Sequence, residues 1–305
     1  MEAQARAGID IYGRVMRYAE VEQYGARYRL LRLGSCDFEF AIGDELFGSR
    51  DPEHLATIIE AIRDVFQGSV ARELCLAIHP PRGISYFSMA PPDATELVKR
   101  AQFEREAKLL TDPTSGDLSL TSELAHAETL PDGDVVEWHQ ILALPAIVYS
   151  SLRTIVRDLS ISAAYPMSSM HGIANALNRL HLKEALCPDD RPLVLAVGYY
   201  PTHFEYTVVR HGEWTFCHYT NPGDEADSVY FTLALLRQLG LHPNKVGRIF
   251  IYGIVSDIED FAAMETIFDI VPEKLDAIPI VDLDASSLSS GFDFESYAPC
   301  IGISL

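Results

Sequence analysis

The first group able to do chemistry is Asp10. It lies in the apolar, β-rich run Ala7-Gly8-Ile9-Asp10-Ile11, just ahead of a break at Tyr12-Gly13. Two kinds of chemistry suit an acid there. It can face the phosphates or the magnesium of a nucleotide across a tight turn. It can also close the end of a hairpin, accepting from nearby N–H groups or pairing with Arg14 or Arg17. A buried carboxylate without a partner is costly, so either way it must be paired or solvated. Arg17 could meet a phosphate, but an exposed strand arginine is the plainer reading. His203, His211 and His218 fall in a later β-rich stretch, and none is read as a metal ligand. Glu104 and Glu106 stand two apart on an expected helix, hence on different faces, and read as a solvated surface. The serine-rich stretch 284–294 lacks the Gly-x-x-x-x-Gly-Lys spacing of a phosphate loop and reads as a connection. No Gly-x-Ser-x-Gly elbow occurs, so nothing supports hydrolytic catalysis.

Composition narrows the classes. The chain has 305 residues, 48% of them hydrophobic, enough for one large domain or two lobes. Its net charge of −20 is spread along the chain and repels phosphate backbones and anionic headgroups alike, which excludes nucleic acid as a partner. No apolar signal-peptide core is visible. No run approaches the ~18 apolar residues of a membrane span, so direct membrane insertion is not expected. The five cysteines, Cys36, Cys75, Cys187, Cys217 and Cys300, are scattered without a C-x-x-C pair. They are read as small buried hydrophobes in a reducing cytoplasm.

The elements that must position Asp10 come from periodicity. Strands are expected at 6–12, 15–21, 27–33 and 36–42, with Gly13, Gly25 and Gly34 at the breaks. A helix follows, with Asp51 as N-cap, Pro52 at the first position and Leu55, Ile58, Ile59, Ile62, Val65 and Phe66 at helical spacing. Strands at 73–79 and 83–90 lead to a helix with Asp93 as N-cap and Glu96 completing a capping box. Residues 111–134 read as polar turns, and 135–145 as a strand. Helices near 146–158 and 168–182 flank a connection. A second β-meander spans 192–198, 203–209 and 213–219. A helix over 225–239 presents Ala226, Val229, Tyr230, Leu233 and Leu236 on one face. A strand at 246–253, a helix at 257–270 and a strand-like apolar end close the chain. Each half thus repeats one plan: antiparallel strands, then helices.

That order resembles the superfamily of actin, the heat-shock ATPases and the sugar kinases, and within it the type IV pilus assembly proteins of the PilM family. "GIDIYGRVMRYAEV" is similar to the family's first phosphate loop, Asp10 matching its acid, Arg17 its Lys and Glu20 its Glu. "LAIHPPRGISYFSMAPPDATELVKRAQFEREAKLL" resembles the start of the family's inserted subdomain. "LVLAVGYYPTHFEYTVVRHGEWTFCHY" resembles the second phosphate hairpin, "IFIYGIVSDIEDF" the adenosine motif and "YAPCIGISL" the closing segment. The resemblance therefore implies an α/β, two-lobed, actin-like fold, a duplicated ribonuclease H-like unit. Lobe 1 would cover 1–185, with an inserted subdomain at about 80–142, and lobe 2 would cover 186–305.

The motifs depart from the family where phosphate must be held. Such loops use Gly and small hydroxyl residues so that backbone N–H groups come close. Here the first loop carries Tyr12, Arg14 and Met16. The second hairpin has Ala196-Val197-Gly198 for the family's Asp-x-Gly, and the adenosine motif has Gly253-Ile254 for Gly-Gly. The interval from Gly198 to Gly253 has room for the rest of a hairpin and one helix, which implies a reduced or missing subdomain in lobe 2. Asp10, Gly13, Arg17, Gly198 and Gly253 thus stand at nucleotide-facing positions of a degenerate site. The expectation is a non-catalytic scaffold with no cofactor and no metal. Its protein partner would be the cytoplasmic tail of an inner-membrane protein, with the chain cytoplasmic and peripheral to that membrane. An ATPase or switch using Mg-ATP is the rival. A self-polymerising filament ranks last, and a homo-oligomer is neither required nor excluded.

Overall fold

The computed structural model describes residues 4–48, 51–111, 116–159, 161–183, 187–188, 190–221, 225–254, 257–283 and 293–305. The serine-rich stretch read as a connection lies, over 284–292, outside the described residues.

Strands β1 (Gln4–Tyr12), β2 (Val15–Tyr24) and β3 (Arg27–Asp37) form an antiparallel meander. It turns at Gly13 and Gly25, both with positive φ. β1 also pairs in parallel with β4 (Glu73–Ile78), and β4 with β8 (Ala163–Ser168), giving the order β3-β2-β1-β4-β8. The second half repeats this. β9 (Leu193–Tyr200), β10 (His203–Arg210) and β11 (Glu213–Thr220) are antiparallel, and β12 (Val246–Gly253) and β13 (Glu273–Lys274) add in parallel. The order β11-β10-β9-β12-β13 is the first sheet's order strand for strand. The fold is two-lobed and duplicated.

A third, antiparallel sheet, β5 (Ile84–Ala90), β7 (Val135–Pro145) and β6 (Leu118–Thr129), is inserted in the first lobe between β4 and β8. Helix α3 (Glu96–Leu110) lays Phe103 and Ala107 on it. In the second lobe, the described residues between β9 and β12 hold only β10, β11, helix α6 (Glu225–Gln238) and the short 3-10 turn Pro243–Lys245.

Helices α1 (Ile42–Phe47), α2 (Pro52–Phe66) and α4 (Ala146–Leu159) cover the outer face of the first sheet. Asp51 caps α2, its Oδ1 accepting from the Glu53 N–H at 2.9 Å. Two helices share the core between the sheets. α5 (Ser169–Lys183) follows the first sheet and reaches β10 and β11 of the second. α8 (Ala298–Ser304) follows the second and reaches β1, β2 and β4 of the first. One apolar core therefore joins Ala19 and Val21 of one sheet to Val194 and Ala196 of the other through Ile173, Leu177 and Ile301.

Several local expectations need correction. Residues 36–42 are not a separate strand: β3 runs through Gly34 to Asp37, and α1 begins at Ile42. Residues 111–134 contain β6, whose polar pattern suits a sheet edge. The connection before α5 contains β8, also an edge strand, where Pro166 needs no ladder N–H on its open side. Asp93 does not cap α3. The chain first turns at Pro91–Ala94, and Thr95 stands at the N-cap without a side-chain bond. Residues 257–270 split into the 3-10 turn Ile258–Phe261 and α7 (Ala262–Phe268). Tyr230 is 68% exposed, so α6 buries Val229, Thr232, Leu235 and Leu236 instead. The C-terminal run is helix α8 rather than a strand, buried over its full length.

Candidate functional site

Asp10, at the C-terminal end of β1, is 1% exposed. Its Oδ1 lies 2.5 Å from His79 Nε2, so its partner is His79 rather than Arg14 or Arg17. His79 directly follows β4, the parallel neighbour of β1, and that register brings its ring beside Asp10. The other ring nitrogen, Nδ1, lies 2.8 Å from Oε1 of Glu205, on β10 of the opposite lobe. A single imidazole thus spans two buried carboxylates from two lobes.

Glu205 is the hub. Its Oε1 also accepts from Ser169 Oγ at 2.5 Å and from His203 Nε2 at 3.1 Å, and its Oε2 accepts from the Tyr252 hydroxyl at 2.7 Å. His203 Nδ1 meets Thr202 Oγ1 at 2.9 Å, and Thr202 in turn meets the Tyr12 hydroxyl at 3.0 Å. The Tyr200 ring stacks on His203 at 4.9 Å and stands edge-on to His79 at 4.7 Å. Asp10 Oδ2 and the Tyr200 hydroxyl are buried without a hydrogen-bond partner among the described residues.

Electrostatics favour charge on this bridge. Burial pulls the His79 imidazolium down, but the Asp10 and Glu205 carboxylates outweigh it and raise the pKa to about 10. Burial pushes the Glu205 carboxyl up, yet the charges and hydrogen bonds of His79 and His203 hold it far below the usual carboxylate range. Tyr200 and Tyr252 are pushed well above an ordinary phenol, first by burial and then by Glu205, so both stay neutral.

The other expected positions are used differently. Gly13 makes the β1–β2 turn at φ 59°, and its carbonyl accepts from Ile42 N at 3.0 Å. Arg17 stands directly opposite Asp10 in the β1–β2 register, but among the described residues it forms no ion pair with it; it donates to Ser296 Oγ at 3.1 Å, with its guanidinium over the Tyr297 ring. Gly198 lies under Tyr252: a Cβ there would sit 2.5 Å from the ring. Its lack of a side chain lets Tyr252 cross to Glu205. Gly253 ends β12 at φ 94°, and Ile254 N then bonds the Tyr199 carbonyl at 2.9 Å. Glu20, matched to the family's Glu, is wholly buried and accepts from Val70 N, Ala71 N and the Tyr18 hydroxyl.

A cavity of about 370 Å³ opens beside the cluster, between the β1–β2 turn, α1, the segment 79–82 and Thr202. Of the five positions the resemblance expects to face a nucleotide, only Asp10 enters the polar cluster. His79, His203, Glu205 and Ser169 are additions. One signal for them was present: His203-x-Glu205 is an i,i+2 pair, which puts both side chains on one face of a strand.

Chains of similar architecture are known. A protein of the PilM-PilN type IV pilus biogenesis complex superposes with a TM-score of 0.73 at 13% identity, over 98% of this chain and 97% of that one. The fold is actin-like and PilM-like. A Bacteroides thetaiotaomicron protein with an actin-like ATPase fold and unknown function follows at 0.54, with 12% identity over 92% and 93% of the two chains. No protein-family model and no curated protein sequence matches the chain. In this PilM-like frame, the charged cluster lies between the lobes, beside the turn matched to the first phosphate loop.

Proposed function

We propose that the chain is a non-catalytic, actin-like scaffold of a bacterial envelope machine of the type IV pilus or secretion type. It holds a short extended segment from the cytoplasmic tail of an inner-membrane protein. The chain is then cytoplasmic, drawn to the membrane through its partner, and divides into lobe 1 at 1–185, with its insertion at about 80–142, and lobe 2 at 186–305. An extended segment would be held by backbone hydrogen bonds and a few apolar pockets.

One observation carries this reading. The ground between the lobes beside the Gly13 turn is filled by side chains bonded to one another: His79 between Asp10 and Glu205, with Tyr12, Tyr200 and Tyr252 around them. A phosphate clamp needs free backbone N–H groups and a cation; this cluster offers two carboxylates to an anion. The degenerate positions Gly198 and Gly253 also have local packing reasons to be glycine.

The rival ATP-binding switch draws on the cavity next to Gly13. Affinity capture from native cytoplasmic and membrane fractions tests the scaffold. Enrichment of a single-pass protein through its short cytoplasmic tail, abolished when that tail is deleted, is the expected result. Capture that persists without the tail, or recovery of soluble proteins alone, would sink it.

A further inference from the structure

We propose that His79 Nδ1, His203 Nε2 and Glu205 Oε1 form a binding site for a divalent transition-metal ion of the zinc class, stapling the two lobes together. The three donor atoms lie within 4.8 Å of one another. Zinc binds imidazole nitrogen and carboxylate oxygen at roughly 2.0–2.2 Å, which spaces tetrahedral donors by about 3.3 Å. The two distances onto Oε1 are 2.8 and 3.1 Å, so these two pairs need to part by only a few tenths of an ångström, while the two ring nitrogens, within 4.8 Å of each other, need only small ring movements to close on one ion.

The surroundings have the form of a metal site's outer shell. A ligating histidine commonly gives its second nitrogen to a carboxylate or another oxygen, which fixes the ring and its tautomer. Here His79 Nε2 is already held by Asp10 Oδ1, and His203 Nδ1 by Thr202 Oγ1. The ligand carboxylate is steadied at Oε2 by Tyr252. Charge points the same way. Asp10 and Glu205 bring two negative charges into a site where both residues are at most 1% exposed. A proton on His79 balances one of them; a divalent cation bound to two neutral imidazoles balances both. The cavity lined by Tyr12, His79 and Thr202 reaches one of the three ligands, His79, and is the side from which an ion would approach.

The inference is independent of the scaffold reading, since a lobe staple serves a scaffold or a switch equally well. The test uses the tag-free, full-length protein after dialysis against chelator. Zn²⁺ titrated calorimetrically should bind at one equivalent, and Co²⁺ should give an intense visible d–d band that Zn²⁺ removes. His203→Gln and Glu205→Gln should each abolish the band. Asp10→Asn, in the outer shell, should weaken zinc about 10–100-fold. His211→Asn, an exposed turn residue, should change nothing. No one-equivalent binding and no Co²⁺ band with the unmutated protein would overturn the proposal, as would a band that survives both ligand variants. The unmutated protein decides the matter even if a variant fails to fold.

Discussion

The energetics of single residues centre on His79. In the metal-free protein its raised pKa keeps a proton on each ring nitrogen between Asp10 and Glu205, and its ring is 4% exposed. Removing one partner of a buried ion pair typically costs about 3–5 kcal/mol, because the remaining charge stays desolvated and unpaired. His79→Gln should therefore lower the unfolding free energy by about that amount in urea titrations at neutral pH. A loss under about 1 kcal/mol would show that the bridge is solvated. Gly198→Ala should also destabilise, by about 1–3 kcal/mol, since its methyl would meet the Tyr252 ring. Asp10 was readable in the sequence as a buried acid in need of a partner. The partner was not, because Asp10, His79 and Glu205 come from strands far apart in the chain and meet only through sheet register and lobe packing. The sequence marks Gly198 and Gly253 as glycines at resemblance-matched positions, and the structure gives each a packing reason. A sequence records that a side chain is missing, not which ring or carbonyl fills the space.

The same limit appears at the scale of elements. The two β-meanders, α2 and β12 follow from alternation, turn glycines and caps. The ends of the lobes do not, because tertiary contacts decide them. Tyr297-Ala298-Pro299-Cys300-Ile301-Gly302-Ile303 is short and apolar, and periodicity alone cannot separate a buried strand from a buried helix there. Its helical form depends on α5: a Cβ on Gly302 would sit 1.9 Å from the Gly172 carbonyl, and one on Gly172 would sit 2.7 Å from that of Pro299. Gly302→Ala must push the two helices apart, and thermal melts should show a loss of at least 1–3 kcal/mol, roughly the cost of overpacking. α5 makes a second prediction through His171. Glu123 Oε2 lies 3.1 Å from its Nε2 and favours the charged ring, but burial is the larger effect and lowers its pKa. Asn175 on α5 and Trp214 on β11 complete its surroundings. A histidine lowered in the folded state contributes stability above its unfolded pKa of about 6.5, and that stability is lost as pH falls below it. The unfolding free energy of the natural protein should therefore drop more between pH 7 and 5 than that of His171→Gln. Parallel pH profiles would remove His171 from the acid response.

At the scale of the whole molecule, the ties between the lobes among the described residues include the α5–α8 crossing, the His79 bridge and the inserted sheet. The last packs Phe87 of β5 against Trp214 and Phe216 of β11, and His126 of β6 against the Trp214 carbonyl. An actin-like nucleotide switch needs lobes that close on a ligand and open without it. Here the lobes are already bonded to each other through His79, with Tyr12, Tyr200 and Tyr252 around the bridge. The expected consequence is that millimolar Mg-ATP leaves the melting temperature unchanged. A ligand present at about 100 times its dissociation constant would add roughly 2.7 kcal/mol, several degrees for a chain of this size, so the measurement has ample range. His79→Gln gives the informative contrast. If the bridge alone excludes nucleotide, that variant should gain a shift with Mg-ATP. If the bulk of Tyr12 and Tyr252 excludes it independently, the variant should melt lower and remain indifferent to nucleotide. The second outcome is the one expected, because severing the bridge leaves Tyr12, Arg14 and Met16 around the β1–β2 turn and Ala196 on β9 unchanged.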